Sequence, residues 1–293
     1  MRLVDIEARN AGTLEARQQH PEGIDIQNHP DLEFFGYYEV DIFECPTFLM
    51  FTNNDCPRGW DILFSRHFEP QSMKLWCRMA RTATGIVDIG AHVGTYSLAA
   101  AALRNDINIH AFEPNPYAFS RLRMHKTINS FDNIVEYIVA VSDTTKLSKF
   151  RWVKKKSLQI SSGGTLMKRD DAGTESTIVQ TTALDGTGIA SILGDRPLLK
   201  IDVEGAEAQT FRGIQEIIAL KPDIILETFS QSSCDAINEM IKPLGYSVYH
   251  ILEKERSMVP REGLAPCTVD LNGNFNQLLT TRSPTEVAEL AAQ

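Results

Sequence analysis

The sequence predicts an α/β protein: a doubly wound, largely parallel sheet covered by helices on both faces, with an N-terminal arm and one β-rich insertion. Three observations predict it. From residue 85 onward, short apolar runs alternate with amphipathic stretches, as buried strands and crossover helices do. The run Val87-Asp88-Ile89-Gly90-Ala91-His92-Val93-Gly94-Thr95-Tyr96 carries an apolar strand through a glycine-bounded turn directly into helix formers. Two further strands, 107–112 and 198–203, run out onto the carboxylates of Glu113 and of Asp202 and Glu204, at the edge where an open α/β sheet holds its ligand.

Taken in order, the first forty residues hold turn-forming stretches, His20-Pro21-Glu22-Gly23 and His29-Pro30-Asp31, and little sustained periodicity, so an arm or cap is expected there. Residues 48–51 and 61–64 read as short strands around a polar turn with Asn53, Asn54 and Asp55, and Pro70, suited to a first helical position, opens a helix through about residue 81. Residues 85–89 are the first strand of the sheet and 95–104 its helix. A second strand at 107–112 leads to a helix at 116–129 that repeats Phe119, Leu122 and Ile128 on one side. The third strand spans 133–141. An insertion at about 146–195 follows, with a glycine turn at Gly163-Gly164 and the β-branched run Ser176-Thr177-Ile178-Val179, read as extra strands or a lid. A fourth strand at 198–203, a helix at 206–220, a fifth strand at 223–226, a helix at 234–241 and strands at 247–251 and 275–280 complete the order. The expected division is 1–69, arm and cap strands, and 70–293, a cofactor-binding domain.

The glycine turn is a cradle for an adenosine-bearing cofactor, and Asp88 decides which. A dinucleotide would set its pyrophosphate over the helix N-terminus, and a carboxylate aimed there would repel it. S-adenosylmethionine carries no phosphate, and its ammonium and sulfonium make Asp88 an asset. Gly90 and Gly94 enclose three residues, and the nicotinamide fingerprint would need glycine where His92 stands. Candidate cofactor contacts in the turn are therefore Asp88, Gly90, Ala91, His92, Gly94, Thr95 and Tyr96. Glu113, with Pro114 beside it, ends the second strand about 25 residues after Asp88, where an acidic side chain accepts hydrogen bonds from ribose hydroxyls; the plainer reading is a surface residue capping the next helix. Ser142, off the third strand, either borders the adenine or simply ends a strand. Asp88 and Asp202 should face one cleft, because the crevice opens where the strand order reverses, between the first and fourth strands. Asp202 is the favoured catalytic carboxylate, since methyl transfer to a hydroxyl needs a proton acceptor. Glu204 is a second candidate, and Glu204 and Glu207 could equally serve the N-terminus of the following helix.

Taken together and in order, 87–94, Phe112-Glu113-Pro114, Ala140-Val141-Ser142-Asp143, Ala183-Leu184-Asp185 and Lys200-Ile201-Asp202-Val203-Glu204-Gly205-Ala206-Glu207 resemble the FkbM-type S-adenosylmethionine-dependent methyltransferases. The likeness runs from about residue 48 to 280. It implies a class I methyltransferase fold, Rossmann-like, with seven strands in the order 3-2-1-4-5-7-6, the last antiparallel, and methyl transfer to a hydroxyl of a natural product, sugar or glycan. Arg66-His67-Phe68-Glu69-Pro70 is similar to the family stretch lying over the cofactor's methionine end, which makes His67 a catalytic and Glu69 a cofactor-binding candidate. His92 stands where the family commonly has Asn. Histidine still donates a hydrogen bond there, or simply packs in the turn. Metal-assisted catechol-type relatives carry an Asp-Asn pair after the fifth strand; this chain has Glu227-Thr228, and no metal is expected.

Composition fits that reading. With 43% hydrophobic and 23% charged residues the chain is ordinary globular material, and a net charge of −9 disfavours broad binding to nucleic acid or anionic membrane. The basic run Arg151-Trp152-Val153-Lys154-Lys155-Lys156 reads as a local patch or a solvated strand edge. No secretory signal or spanning segment is visible, so a cytoplasmic protein is expected, and five cysteines without C-x-x-C spacing read as reduced, mostly buried thiols. The expected partner is a small-molecule hydroxyl acceptor, with no nucleic acid and no membrane, and with a homo-oligomer left open. Two rival readings are a non-catalytic S-adenosylmethionine-binding module and a nicotinamide-dependent oxidoreductase.

Overall fold

The computed structural model describes residues 3–20, 23–24, 32–42, 44–65, 68–153, 160, 164–167, 174–267 and 275–292. His67, Gly163, His29-Pro30-Asp31 and Lys154-Lys155-Lys156 lie outside them. In chain order the elements are α1 (Leu3–Gln19), β1 (Gly36–Val40), β2 (Phe48–Thr52), α2 (Pro57–Trp60) with a π-helical turn at Asp61–Ser65, α3 (Pro70–Ala80), β3 (Gly85–Ile89), α4 (Thr95–Leu103), β4 (Ile109–Phe112), α5 (Pro116–Asn129), β5 (Ile134–Tyr137), β6 (Ala140–Val141), β7 (Lys146–Val153), β8 (Thr174–Thr182), β9 (Pro197–Ile201), α6 (Glu207–Arg212), α7 (Gln215–Ile218), β10 (Asp223–Glu227), α8 (Gln231–Ile241), β11 (Ser247–Leu252), β12 (Ser257–Arg261), β13 (Asn276–Thr280) and α9 (Pro284–Ala291).

The main sheet has the order β12-β11-β13-β10-β9-β3-β4-β5, eight strands where seven were expected. Removing β12 leaves 6-7-5-4-1-2-3, the expected order read from the other edge, with β13 antiparallel to both neighbours. The eighth strand pairs with β11 alone, and its sequence Ser-Met-Val-Pro-Arg has neither a buried face nor alternation. Pro260 is tolerated because the strand lies on an edge.

Every residue of β3, β9 and β10 is buried, and successive residues belong to opposite faces. Ile86, Leu198 and Ile225 pack with Leu75 and Trp76 of α3 and Leu98 of α4, while Val87, Leu199 and Ile224 pack with Phe211 of α6 and Ile237 of α8. This alternation places the next residues along, Asp88 and Lys200, on the α3/α4 face as direct register partners.

The cap departs from expectation. Residues 61–65 form a π-helical turn, and β2 pairs instead with β1, whose Tyr38 and Val40 alternate with exposed residues. Ile62, Leu63 and Phe64 are all buried, and a short continuous apolar run does not distinguish strand from helix. Helix α1 stands where an arm or cap of little periodicity was expected and is tied down by Asn10, which exchanges two hydrogen bonds with the Phe35 backbone, each 2.8 Å. The cap strand β2 is fixed to α5 through Asn129 and His125, which accept the Leu49 and Phe51 N–H groups at 2.7 and 2.9 Å.

The third expected strand splits. Residues 134–137 stay in the main sheet, and β6 leaves to join the insertion, whose order is β6-β8-β7 around Phe150, Trp152 and Val179. The helix expected at 206–220 also breaks, into α6 and α7. At the break Gly213 accepts the Leu184 and Asp185 N–H groups at 2.8 and 3.0 Å, and a Cβ there would fall 1.9 Å from the Ser142 carbonyl oxygen. All five cysteines are buried free thiols. Among the described residues no helix is long and apolar enough to cross a membrane.

Candidate active site

The strand ends of β3, β4 and β9 open into one cleft, about 910 Å³ of space counted together with its open mouth. Asp88, Gly90, Ala91, His92, Thr95, Tyr96, Glu113, Pro114, Glu69, Asp202 and Glu204 all line it. Its floor is the turn after β3. Gly90 and Ala91 donate to the Phe112 carbonyl at 2.9 and 3.0 Å, and Asp202 donates to the Ile89 carbonyl at 2.9 Å, so the turn is held between the ends of β4 and β9. Gly90 lies at φ 84°, with the Asp202 carbonyl where a Cβ would be.

Asp88 is 1% exposed, and its Oδ2 accepts from Ser97 N–H at 3.1 Å and Ser97 Oγ at 2.6 Å. Gly94, the residue before α4, has no side chain to cap the helix, and Asp88 takes that task from the neighbouring strand. Burial pushes its carboxyl up to about 6, against the opposing effects of Ser97 and Lys200. Glu113 spans the turn: Oε2 accepts His92 N–H at 2.8 Å and Oε1 accepts Asn115 N–H at 2.7 Å. Burial pushes it up to about 7. Capping of α5 falls to Asn115, whose side chain accepts from Tyr117 N–H at 3.0 Å, so Glu113 does not serve as a helix cap.

At the inner end stand Glu69, Tyr96 and Lys200. Glu69 occupies the cap position of α3 at φ 42° without capping it. Glu253, from the end of β11, accepts the Gln71 N–H at 2.7 Å and the Ser72 N–H at 3.2 Å instead. The Glu69 carboxylate is thereby left to accept from Tyr96 Oη at 2.5 Å and Asn276 Nδ2 at 2.9 Å. Burial, with Glu69 beside it, holds the Tyr96 hydroxyl well above its ordinary value. Lys200 Nζ lies 5.2 Å from the Tyr96 ring centroid and 3.9 Å from Asp202 Oδ2. Glu69, His92 and Glu204 all have positive φ, at 42°, 52° and 51°. Three of the eight positive-φ non-glycine residues among the described ones thus line this cleft.

Two sequence candidates fall outside the lining. Gly94 packs under the turn, where a Cβ would lie 3.1 Å from Leu122 Cγ, and Ser142 is buried with its N–H on the Thr182 carbonyl. Of the two acidic residues after Asp202, only Glu204 lines the cleft; Glu207 is fully buried and accepts Gly205 N–H at 2.6 Å at the start of α6. Residues the sequence did not single out complete the walls: Lys200, Phe112 stacked on Tyr137 at 4.6 Å, Val139, and Phe150 and Leu166 from the insertion. Among the described residues no group of three or more His, Cys, Asp or Glu side chains is placed to hold a metal ion.

A family model described as "Methyltransferase FkbM domain" matches residues 88–248. Several solved structures are distantly similar. A precorrin-6y C5,15-methyltransferase from Geobacter metallireducens is 14% identical over 72% of this chain and 86% of its own, with a TM-score of 0.38. An rRNA methylase from Streptococcus thermophilus is 10% identical over 71% and 91%, TM-score 0.38, and a SAM-dependent methyltransferase from Agrobacterium tumefaciens is 9% identical over 83% and 69%, TM-score 0.42. No curated protein matches the chain.

Proposed function

The chain belongs to the FkbM methyltransferase family, with S-adenosylmethionine as its cofactor, and from that premise we propose that it methylates a hydroxyl group of a small molecule. The observation that carries this reading is the convergence of Asp88, Glu113 and Asp202 on one cleft floored by Gly90.

The residues present fit the cofactor. Glu113 faces the cleft at the end of β4 with both oxygens set by backbone N–H groups, oriented to accept from ribose hydroxyls through its remaining lone pairs. Phe112, Val139 and Val141 offer apolar surface to a purine. Asp88 and Glu69 supply negative charge for an ammonium group, and the absence of a side chain at Gly90 lets the Asp202 main chain close against the turn and complete the cleft floor. When bound, the cofactor supplies a methyl group activated by a positively charged sulfur.

The chain's own part is orientation, exclusion of water and proton transfer. Asp202 is the proposed proton acceptor: its backbone belongs to the rigid floor, while its partly exposed carboxylate, beside Lys200, reaches into the cleft. The acceptor oxygen would gain its bond to the methyl carbon as the carbon–sulfur bond breaks with its electron pair left on a neutral thioether, and the hydroxyl proton would pass to Asp202. Glu204 borders the same region and is the second candidate. Phe150 and Leu166 of the insertion form part of the wall the acceptor would meet. Incubation with S-adenosylmethionine and a panel of hydroxylated acceptors, with products mapped by mass spectrometry, tests the reading. A mass gain of one methylene on an acceptor oxygen supports it. Methylation confined to nitrogen or carbon, or none despite cofactor binding, contradicts it.

A further inference from the structure

Lys200 is an unusual residue to find in the middle of an α/β sheet. It sits in β9, a strand buried along its whole length, and is itself 2% exposed. Its Nζ has no hydrogen-bond partner, and Asp202 Oδ2, at 3.9 Å, is beyond hydrogen-bond reach. An ammonium group carries three donors and no acceptor, and taking it out of water without hydrogen bonds is expensive. Yet Lys200 lines the cleft and, among the described residues lining it, is the one lysine or arginine against Glu69, Asp88, Glu113, Asp202 and Glu204.

We propose that Lys200 receives the carboxylate of the cofactor's amino-acid end, an assignment that rests on the S-adenosylmethionine reading. That end is zwitterionic. The cleft has several carboxylates for its ammonium, but the same carboxylates repel its anionic half. Lys200 is the lining cation that opposes them, with all three donors uncommitted to hydrogen bonds in the structure. Its position agrees, because it is the register partner of Asp88 and lies over the Tyr96 ring beside Glu69, at the inner end of the cleft. A role as general base does not fit. Burial works to lower its pKa, but Asp202, Glu69, Glu227 and Asp88 outweigh it and hold the ammonium above its ordinary value, so it stays protonated. An ammonium that stays charged donates hydrogen bonds to an anion.

Two ligands differing only in the carboxylate test this: S-adenosylhomocysteine, and its decarboxylated counterpart, which keeps the thioether and the amine. Calorimetry on the full chain should show wild type preferring S-adenosylhomocysteine by about tenfold to a hundredfold, the worth of a hydrogen-bonded charge pair. Lys200→Met and Lys200→Gln should abolish that preference by weakening S-adenosylhomocysteine alone. Equal weakening of both ligands, or a preference the variants retain, overturns the assignment. So does a variant that binds S-adenosylhomocysteine as wild type does and loses only turnover, which would place Lys200 on the acceptor. Wild type alone is decisive if neither variant folds: a preference under about threefold overturns the proposal. Wild type that binds neither ligand overturns the cofactor reading, and this proposal with it.

Discussion

The carbonyl oxygen of Asp202 stands 1.7 Å from the point where a Cβ on Gly90 would lie. The Asp202 N–H reaches the other way, to the Ile89 carbonyl at 2.9 Å. Backbone thus meets backbone at the floor of the cleft, and the residue that presents the proposed proton acceptor is also the one that enforces glycine in the cofactor turn.

Gly90→Ala should therefore be severe. The new methyl meets a main-chain oxygen that cannot rotate away, at a φ of 84° that alanine disfavours. A loss of about 2–4 kcal/mol in urea unfolding is expected, with loss of S-adenosylhomocysteine binding. An alanine variant with wild-type stability and affinity would show that the floor is not rigid.

Asp202→Asn separates the two duties of that residue. The backbone floor is untouched, so affinity for S-adenosylhomocysteine should stay within a few-fold of wild type. Turnover should fall about 10²- to 10⁴-fold, the usual worth of a positioned base. Unimpaired turnover would move the base to Glu204 or to an unassigned group.

Cofactor affinity should rise with pH. In the free protein burial holds Asp88 near 6 and Glu113 near 7, so both take up protons in the acid range. An ammonium and ribose hydroxyl donors favour the charged carboxylates, so binding releases protons. Affinity for S-adenosylhomocysteine should climb between about pH 5 and 7.5 by up to tenfold per unit for each group, then level off. Calorimetry in two buffers of different ionisation heat reads the proton release directly; a flat affinity across that range would mean that neither carboxylate meets the ligand. Without ligand the same groups act on folding in the opposite direction. Their contribution to stability is full below about pH 4, their unfolded values, and is lost as pH rises through 6 and 7.

His125 couples the cap to the cofactor turn. Its Nδ1–H donates to the Val93 carbonyl at 2.8 Å and its Nε2 accepts Phe51 N–H at 2.9 Å, an arrangement that requires the neutral ring. Burial lowers its pKa to about 4. Unfolded histidine takes a proton near 6.5, so the stability it contributes is present above that value and lost as pH falls toward 4. His125→Phe orphans the buried Val93 carbonyl and the part-buried Phe51 N–H, at a cost of about 2–4 kcal/mol near pH 7.5. The gap between wild type and variant in urea midpoints should narrow as pH drops to 4.5. A gap that widens instead would mean the ring is charged in the folded state.

What the sequence revealed and what it hid follow from range. Asp88, Glu113 and Asp202 were legible because each stands at or just past the C-terminal end of an apolar strand, and those ends in a doubly wound sheet share one edge. Glu69 was legible only through the family resemblance, while its place just before Pro70 equally suits a helix cap. The residue that decides between them, Glu253, lies more than 180 positions away and leaves no local trace. Lys200 was hidden in plain view: a lone charge in an apolar strand reads as an edge or exit residue, and its burial became visible only once β3 and β10 flanked β9. Ser97 carries no local signal, because its partner Asp88 belongs to another element. Two missed elements did carry signals. Ser283-Pro284-Thr285-Glu286 is a capping box that opens α9, and the alternation around Tyr38 and Val40 marks β1. The π-helical turn at Asp61–Ser65 carried none, since its apolar run suits strand and helix alike.

In the proposed site Asp88 and Glu113 favour S-adenosylmethionine over a nicotinamide cofactor. Calorimetric titration of wild type, Asp88→Ala and Glu113→Ala with S-adenosylhomocysteine and with NADH tests it most directly. Wild type should bind S-adenosylhomocysteine and not NADH, and either substitution should abolish that binding in a folded protein. Alanine variants that bind S-adenosylhomocysteine at wild-type strength, or a wild type that prefers NADH, would contradict it.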